Sequence, residues 1–268
     1  MKSIVCWKNK FFSVVMIVSL MLFISACSDS NGPAPLNQQR ISKASYYDAS
    51  DTLGGYNTYA YDGNNRLITD AYYDASSVQQ GFTEYAYDGS GRLATASFYN
   101  ELSELTGYAE YTYDGSGLMI EITIYDASGT LSYYNTFDYD GSGKLVEGWY
   151  YDSSNVPQVS WTYEYDGNGL LTRMNFYDEL GSGDLYYYDT FDYDGSGRVI
   201  TRSGYNGSDM LQYQSVYSYN ADGQLINMSY YDGSGALTGH TTVENEAGTG
   251  NFNLADPLSI FNYIMAFS

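Results

Sequence analysis

One turn signature recurs along this chain at even intervals only, and that constrains the fold more than composition does. The Tyr of Tyr-Asp-Gly stands at Tyr61, Tyr87, Tyr113, Tyr139, Tyr165 and Tyr193, and Tyr219 heads the related "YNADGQL". Their spacings are 26, 26, 26, 26, 28 and 26 residues. A second series, at Tyr47, Tyr73, Tyr99, Tyr125, Tyr151, Tyr177, Tyr205 and Tyr231, divides the units into alternating steps of 14 and 12. The result is 15 signatures between Tyr47 and about Leu237, the mark of a repeat array.

Each signature reads as aromatic, Asp or Asn, a small residue, Ser or Asn, usually Gly, any residue, then usually Leu. Asp at the first turn position can accept a bond from the backbone N–H two residues on, and Gly supplies the left-handed conformation that closes a type I turn with a bulge. Asp88 and Gly91, Asp114 and Gly117, Asp140 and Gly143, Asp166 and Gly169, and Asp194 and Gly197 are the structural turn residues on this reading. Between turns the chain alternates with period two. "LSYYNTFDY" puts Leu131, Tyr133, Asn135, Phe137 and Tyr139 on one face, with Ser132, Tyr134, Thr136 and Asp138 on the other.

The pattern predicts an all-β chain, a repetitive antiparallel β-hairpin meander of about 16 strands with a 26-residue repeat. The single insertion, at "YDELGSGDLYYY", adds two residues, so it leaves every later side chain on its own face. Aromatic columns follow, one through positions 61, 87, 113, 139, 165, 193 and 219 and one through 59, 85, 111, 137, 163, 191 and 217. Strands of about 27 Å, twisting by about 20–25° each, predict an elongated, coiled, spiral single sheet whose rolled inner face is the core.

The N-terminus assigns the domains. Lys2, Lys8 and Lys10 precede the apolar run "FFSVVMIVSLMLFISA", a signal peptide over 1–26. "ISAC" resembles the lipobox of bacterial lipoproteins, which implies a lipid attached to Cys27 and a membrane partner through that anchor. Ser28 after it implies, on the same resemblance, sorting to the bacterial outer membrane, on its periplasmic or outer surface. A polar tether spans 27–43, the repeats 44–243, and a tail or cap 244–268. Removing 1–26 leaves Cys27 as the only cysteine, which excludes an internal disulfide. The mature chain has 8 basic and 32 acidic residues, a balance that excludes nucleic acid as a partner.

"YTYDGSGLM", "YAYDGSGRL" and "FDYDGSGRV" resemble the YD, or RHS, repeat across about 44–238. That family winds β-hairpins into spiral strips, in toxin shells and in cell-surface proteins. This chain departs from it in its strict 26-residue unit, its small size and its lack of an RHS core segment or toxin domain, so the resemblance implies the fold without the toxin activity.

Candidate sites are sparse. "DYDGSGKLVEGW" matches a calcium loop at several positions but places Trp149 where a bidentate Glu belongs. The turn reading therefore leads, and weak cation binding at Asp138, Asp140, Asp192 or Asp194 is its alternative. His240 is the only histidine, and neither a nucleophile elbow nor a phosphate loop is present, so no enzyme and no cofactor are expected. Trp149, Tyr151, Trp161, Tyr163 and Tyr165 share a face by parity and are the candidate stacking surface for a glycan. A membrane barrel is rejected because Glu84, Glu110, Glu121, Glu147, Arg173 and Asp189 interrupt both faces. The sequence reading is a lipid-anchored surface or periplasmic scaffold for interaction, with a carbohydrate- or wall-binding module as its alternative.

Overall fold

The computed structural model describes residues 40–178 and 183–246. It contains β1 (Arg40–Asp48), β2 (Leu53–Tyr61), β3 (Leu67–Asp74), β4 (Gln79–Tyr87) and β5 (Leu93–Asn100). Next come β6 (Leu105–Tyr113), β7 (Met119–Asp126), β8 (Leu131–Tyr139), β9 (Leu145–Asp152), β10 (Pro157–Tyr165) and β11 (Leu171–Asp178). The last are β12 (Leu185–Tyr193), β13 (Val199–Asn206), β14 (Leu211–Tyr219), β15 (Leu225–Asp232) and β16 (Leu237–Glu246). Each strand pairs antiparallel with its neighbours in the chain, as the hairpin pattern predicts. The strand region runs a few residues beyond the predicted 44–243 at each end. The signal peptide, Cys27, most of the tether and the residues after Glu246 lie outside the described residues.

The turns form as the signature requires. In the loop after β8, the Asp140 amide donates to the Lys144 carbonyl and the Gly143 amide to the Asp140 carbonyl, at 2.8 and 3.0 Å. The Asp140 carboxylate accepts from the amides of Ser142 and Lys144. Gly143 has φ +83°; where the repeat lacks Gly, Asp51, Asn65, Ser77, Ser103, Asn155 and Asp209 take the same left-handed conformation.

One expectation is overturned. The sheet is not an open coiled strip but a closed 16-stranded barrel, in which β1 pairs with β16 from Arg40↔Glu246 to Asp48↔Gly239. Closure follows from a slip that repeats. Stepping across the wall from Tyr59 through Asp70 leads to Thr83, two residues short of Tyr85, the equivalent position one repeat on. Val216, Ser229 and His240 show the same two-residue slip. Eight hairpin units with that slip amount to a shear equal to the strand number, which fits a strand tilt of about 36° and brings the two edge strands into register. Pairing them removes both exposed edges.

Each turn is followed by a bulge, such as the extra residue Ile68 between Ala60↔Thr69 and Tyr61↔Leu67. The two predicted aromatic columns stand two residues apart on the even strands, so both face inward: Tyr59, Tyr85, Tyr111, Phe137, Tyr163, Phe191 and Tyr217 are all buried in one core. Leu67, Leu93, Met119, Leu145, Leu171, Val199 and Leu225 open the odd strands inside the same core. The outer wall carries Thr, Ser, Glu and Asp, with half-buried stacked pairs near the rim of the second turn series. Tyr56 and Tyr73, Tyr108 and Tyr125, and Tyr134 and Tyr151 have ring centroids 5.0, 5.0 and 4.8 Å apart.

Candidate functional site

The inner wall is apolar towards both rims and polar at mid-height. The even strands place Asn57, Thr83, Ala109, Asn135, Trp161, Asp189, Ser215 and Thr241 at equivalent inward positions. Asp70 and Arg202, on odd strands, join this belt. Asp189 and Arg202 form a fully buried ion pair at 2.6 Å. The Tyr187 and Tyr213 hydroxyls each donate to Asp189 at 2.7 Å. The guanidinium keeps its charge because Asp189 and the flanking phenols outweigh its desolvation, and burial raises the phenols well above their ordinary range.

Asp70 lies in a different setting. Its carboxylate accepts from the Asn57 amide nitrogen at 2.5 Å, and Asn57 in turn accepts from the Tyr46 hydroxyl at 2.7 Å. No Lys, Arg or His among the described residues forms an ion pair with it. Burial pushes its pKa up to about 6, against the lowering effect of the Asn57 bond.

Several other buried groups on this wall have no partner among the described residues. They are both polar atoms of the Asn135 amide, the hydroxyls of Tyr111, Tyr133 and Tyr217, and the Ser215 hydroxyl. The parity of these positions is legible in the sequence. Comparing equivalent residues down each column singles out Asp189, the one charge in a mostly polar column, and Asp70 and Arg202, the two charges in a column otherwise of Ala, Ile, Gly and Met.

The predicted glycan-stacking surface does not assemble. Ser160 pairs with Trp149 and Trp161 with Gly148, so the two indoles lie on opposite faces of the wall. Trp149 and Tyr151 face outward, with rings 6.4 Å apart. Trp161, Tyr163 and Tyr165 face inward, the Trp161 ring nitrogen donating to the Tyr163 hydroxyl at 2.8 Å. The bulge after each turn, which simple parity omits, separates them. Trp161 lies flat over Gly148, where an added Cβ would come 2.4 Å from the ring.

The turn carboxylates are committed to their own loops. Asp88, Asp114, Asp166 and Asp194, like Asp140, each accept from amides two and four residues on. Asp138 and Asp192 stand instead on the outer wall, opposite Glu147 and Thr201. His240 stacks on Tyr47 with centroids 4.8 Å apart. Cys27 lies outside the described residues.

No family model matches this chain, nor does any curated protein. Among solved structures, the chain is similar in fold to a porin-like protein from Bacteroides uniformis ATCC 8492. The TM-score is 0.52 at 14% identity, over 77% of this chain and 98% of that one. A porin-like protein from Bacteroides vulgatus ATCC 8482 (TM-score 0.29, 12% identity, 79% and 100% covered) is a much looser match. So is the TcdB2-TccC3 complex (TM-score 0.35, 16% identity, 76% and 14% covered). The barrel, and its likeness to the first of these, overturn the reading of an open interaction scaffold. With the stacking surface divided between two faces, the carbohydrate-binding alternative falls as well.

Proposed function

We propose that this chain is an outer-membrane-associated barrel that stands in water and holds an amphipathic molecule inside its wall. The observation that carries this reading is the set of five residues with buried polar atoms and no partner among the described residues on the inner face. Each unmet group costs about 1–3 kcal/mol, so a guest offering hydrogen-bonding groups and apolar surface together would relieve them. Asn57 and Thr83, inward-facing beside Asp70, are only partly buried, which leaves surface there for a guest to cover.

The outer face supports a position beside the bilayer rather than across it. A spanning barrel needs an outward apolar band about 25 Å tall. Here the outward layers between the rims include Glu84, Glu110, Glu121, Glu147, Glu164 and Arg173. A lipid on Cys27 would hold the barrel at the outer membrane by the end where β1 and β16 meet the chain termini. On this reading the repeat unit is a YD/RHS-type hairpin pair closed on itself.

The test is native mass spectrometry of the full chain purified without detergent, together with binding of 1-N-phenylnaphthylamine. A stoichiometric bound amphiphile, or saturable probe uptake, is the expected result. Stepwise ion conductance across a planar bilayer with no bound molecule would overturn it in favour of a transmembrane pore. For the anchor, Cys27→Ser should move the protein out of the membrane fraction; unchanged fractionation would remove Cys27 as the attachment point.

A further inference from the structure

The barrel buries two carboxylates at the same height, and they are not equivalent. Asp189 has a guanidinium at 2.6 Å and two phenol donors at 2.7 Å. Asp70 has a single amide donor, Asn57, although its exposure is only 9%. Burying an anion without a counter-charge is unfavourable, and cores that retain one pair it or keep it protonated.

The surroundings of Asp70 are aromatic. On the inner wall it sits directly opposite Tyr59 of β2 and Thr83 of β4. Tyr85 follows Thr83 on that face, with its hydroxyl buried. Tyr72 lies next inward on β3 itself. A carboxylate set among phenol rings in an apolar wall is the chemistry that receives an organic cation. The carboxylate supplies the charge, and the ring faces supply cation–π contact.

The geometry points to Asp70, Tyr59 and Tyr85 as the receptor for the ammonium head of an amphipathic amine, with the guest's apolar part lying along the leucine and tyrosine layers. This rests on the proposed interior guest and adds its charge. The groups facing Asp70 are Tyr59 and Tyr61 from β2, Tyr85 from β4 and Tyr72 on its own strand. Burial raises the phenols of Tyr59, Tyr61 and Tyr85 far above neutral pH, while Asp70 ionises near 6. Recognition of a cation should therefore switch on as the pH rises through 6.

The experiment is displacement of 1-N-phenylnaphthylamine from the full chain by dodecylamine, dodecanol and dodecanoate. At pH 7.5 the amine should compete at least about tenfold better than the alcohol, and dodecanoate worst. The amine's advantage should vanish in Asp70→Asn, with the alcohol unchanged. It should also vanish in the unaltered chain at pH 4.5, which keeps the test valid if the variant folds poorly. Equal competition by amine and alcohol at pH 7.5, or an amine preference that survives both changes, would overturn the assignment of Asp70 while leaving an interior guest intact. Failure of all three to displace or bind would overturn both.

Discussion

The hydroxyl of Tyr139 donates to the backbone carbonyl of Met119, 20 residues earlier, at 2.7 Å. These residues stand at the open end of the β7–β8 hairpin, opposite its turn, so the bond fastens the end that the turn leaves free. Tyr61, Tyr87, Tyr113, Tyr165 and Tyr219 make the same bond at the same separation, and Tyr193 makes it across 22 residues because of the insertion. Asn245 completes the ring by donating its amide to the Leu225 carbonyl. Tyr139→Phe should lower stability by about 0.5–1.5 kcal/mol, and the same change two repeats away should add to it. Chemical denaturation of the single and double variants measures this; an unchanged midpoint in all of them would make the ring ornamental.

Trp161 covers Gly148, and Tyr187 covers Gly204 with its hydroxyl 2.1 Å from where a Cβ would stand. Gly148→Ala must push an indole held by its bond to Tyr163. A loss of about 1–3 kcal/mol is expected, against almost none for Gly141→Ala, whose Cβ would meet nothing within 4 Å. Thermal melting of the pair decides it, and equal melting temperatures would refute the close approach.

Arg202→Met strands the Asp189 carboxylate in the core and should destabilise the barrel by about 3–5 kcal/mol. Adding Asp189→Leu should recover much of that loss. If the double variant is no more stable than the single one in urea, the pair is not the buried ionic unit described.

Two classes of carboxylate pull the pH dependence in opposite directions. Backbone amides hold Asp62, Asp88 and Asp166 below their ordinary 3.8, so their stabilisation is present above pH ~4 and is lost as the pH falls through their folded values. Asp70 is raised to about 6, so the stability linked to its protonated form is complete below its unfolded 3.8 and is lost as the pH rises through 6. Asp70→Asn should therefore gain melting temperature over the unaltered chain between pH 4 and 7. Parallel melting curves across that range would contradict the buried, unpaired state.

Deleting Asp88–Tyr113 joins Tyr87 to Asp114, restores the turn and removes two strands together with one two-residue slip. Shear and strand number fall together, so the tilt is kept and a narrower barrel of about 14 strands should close. X-ray scattering should show a smaller cross-section with an intact β signature. Deleting only Asp88–Thr112 leaves an extra residue to be absorbed at the junction, and that chain should be protease-sensitive. Identical behaviour of the two chains would exclude a register-closed wall.

The sequence by itself determined the local structure. Asp and Gly at fixed offsets dictated 15 turns, the alternation between them dictated strands, and even spacing kept Tyr59 and its equivalents on one buried face. Each of these depends on contacts within a turn or between adjacent strands, which a single repeat encodes. Whether β1 meets β16 depends on a two-residue slip summed around the whole wall, and no individual repeat records that sum. The opposite facing of Trp149 and Trp161 was also invisible to parity, because the bulge after the turn inserts an unpaired residue between them. Asp70 and Asp189 illustrate the same division. Their inward parity is legible, but only closure, which surrounds the inner face with wall on every side, makes one a satisfied ion pair and the other a buried carboxyl without a counter-charge.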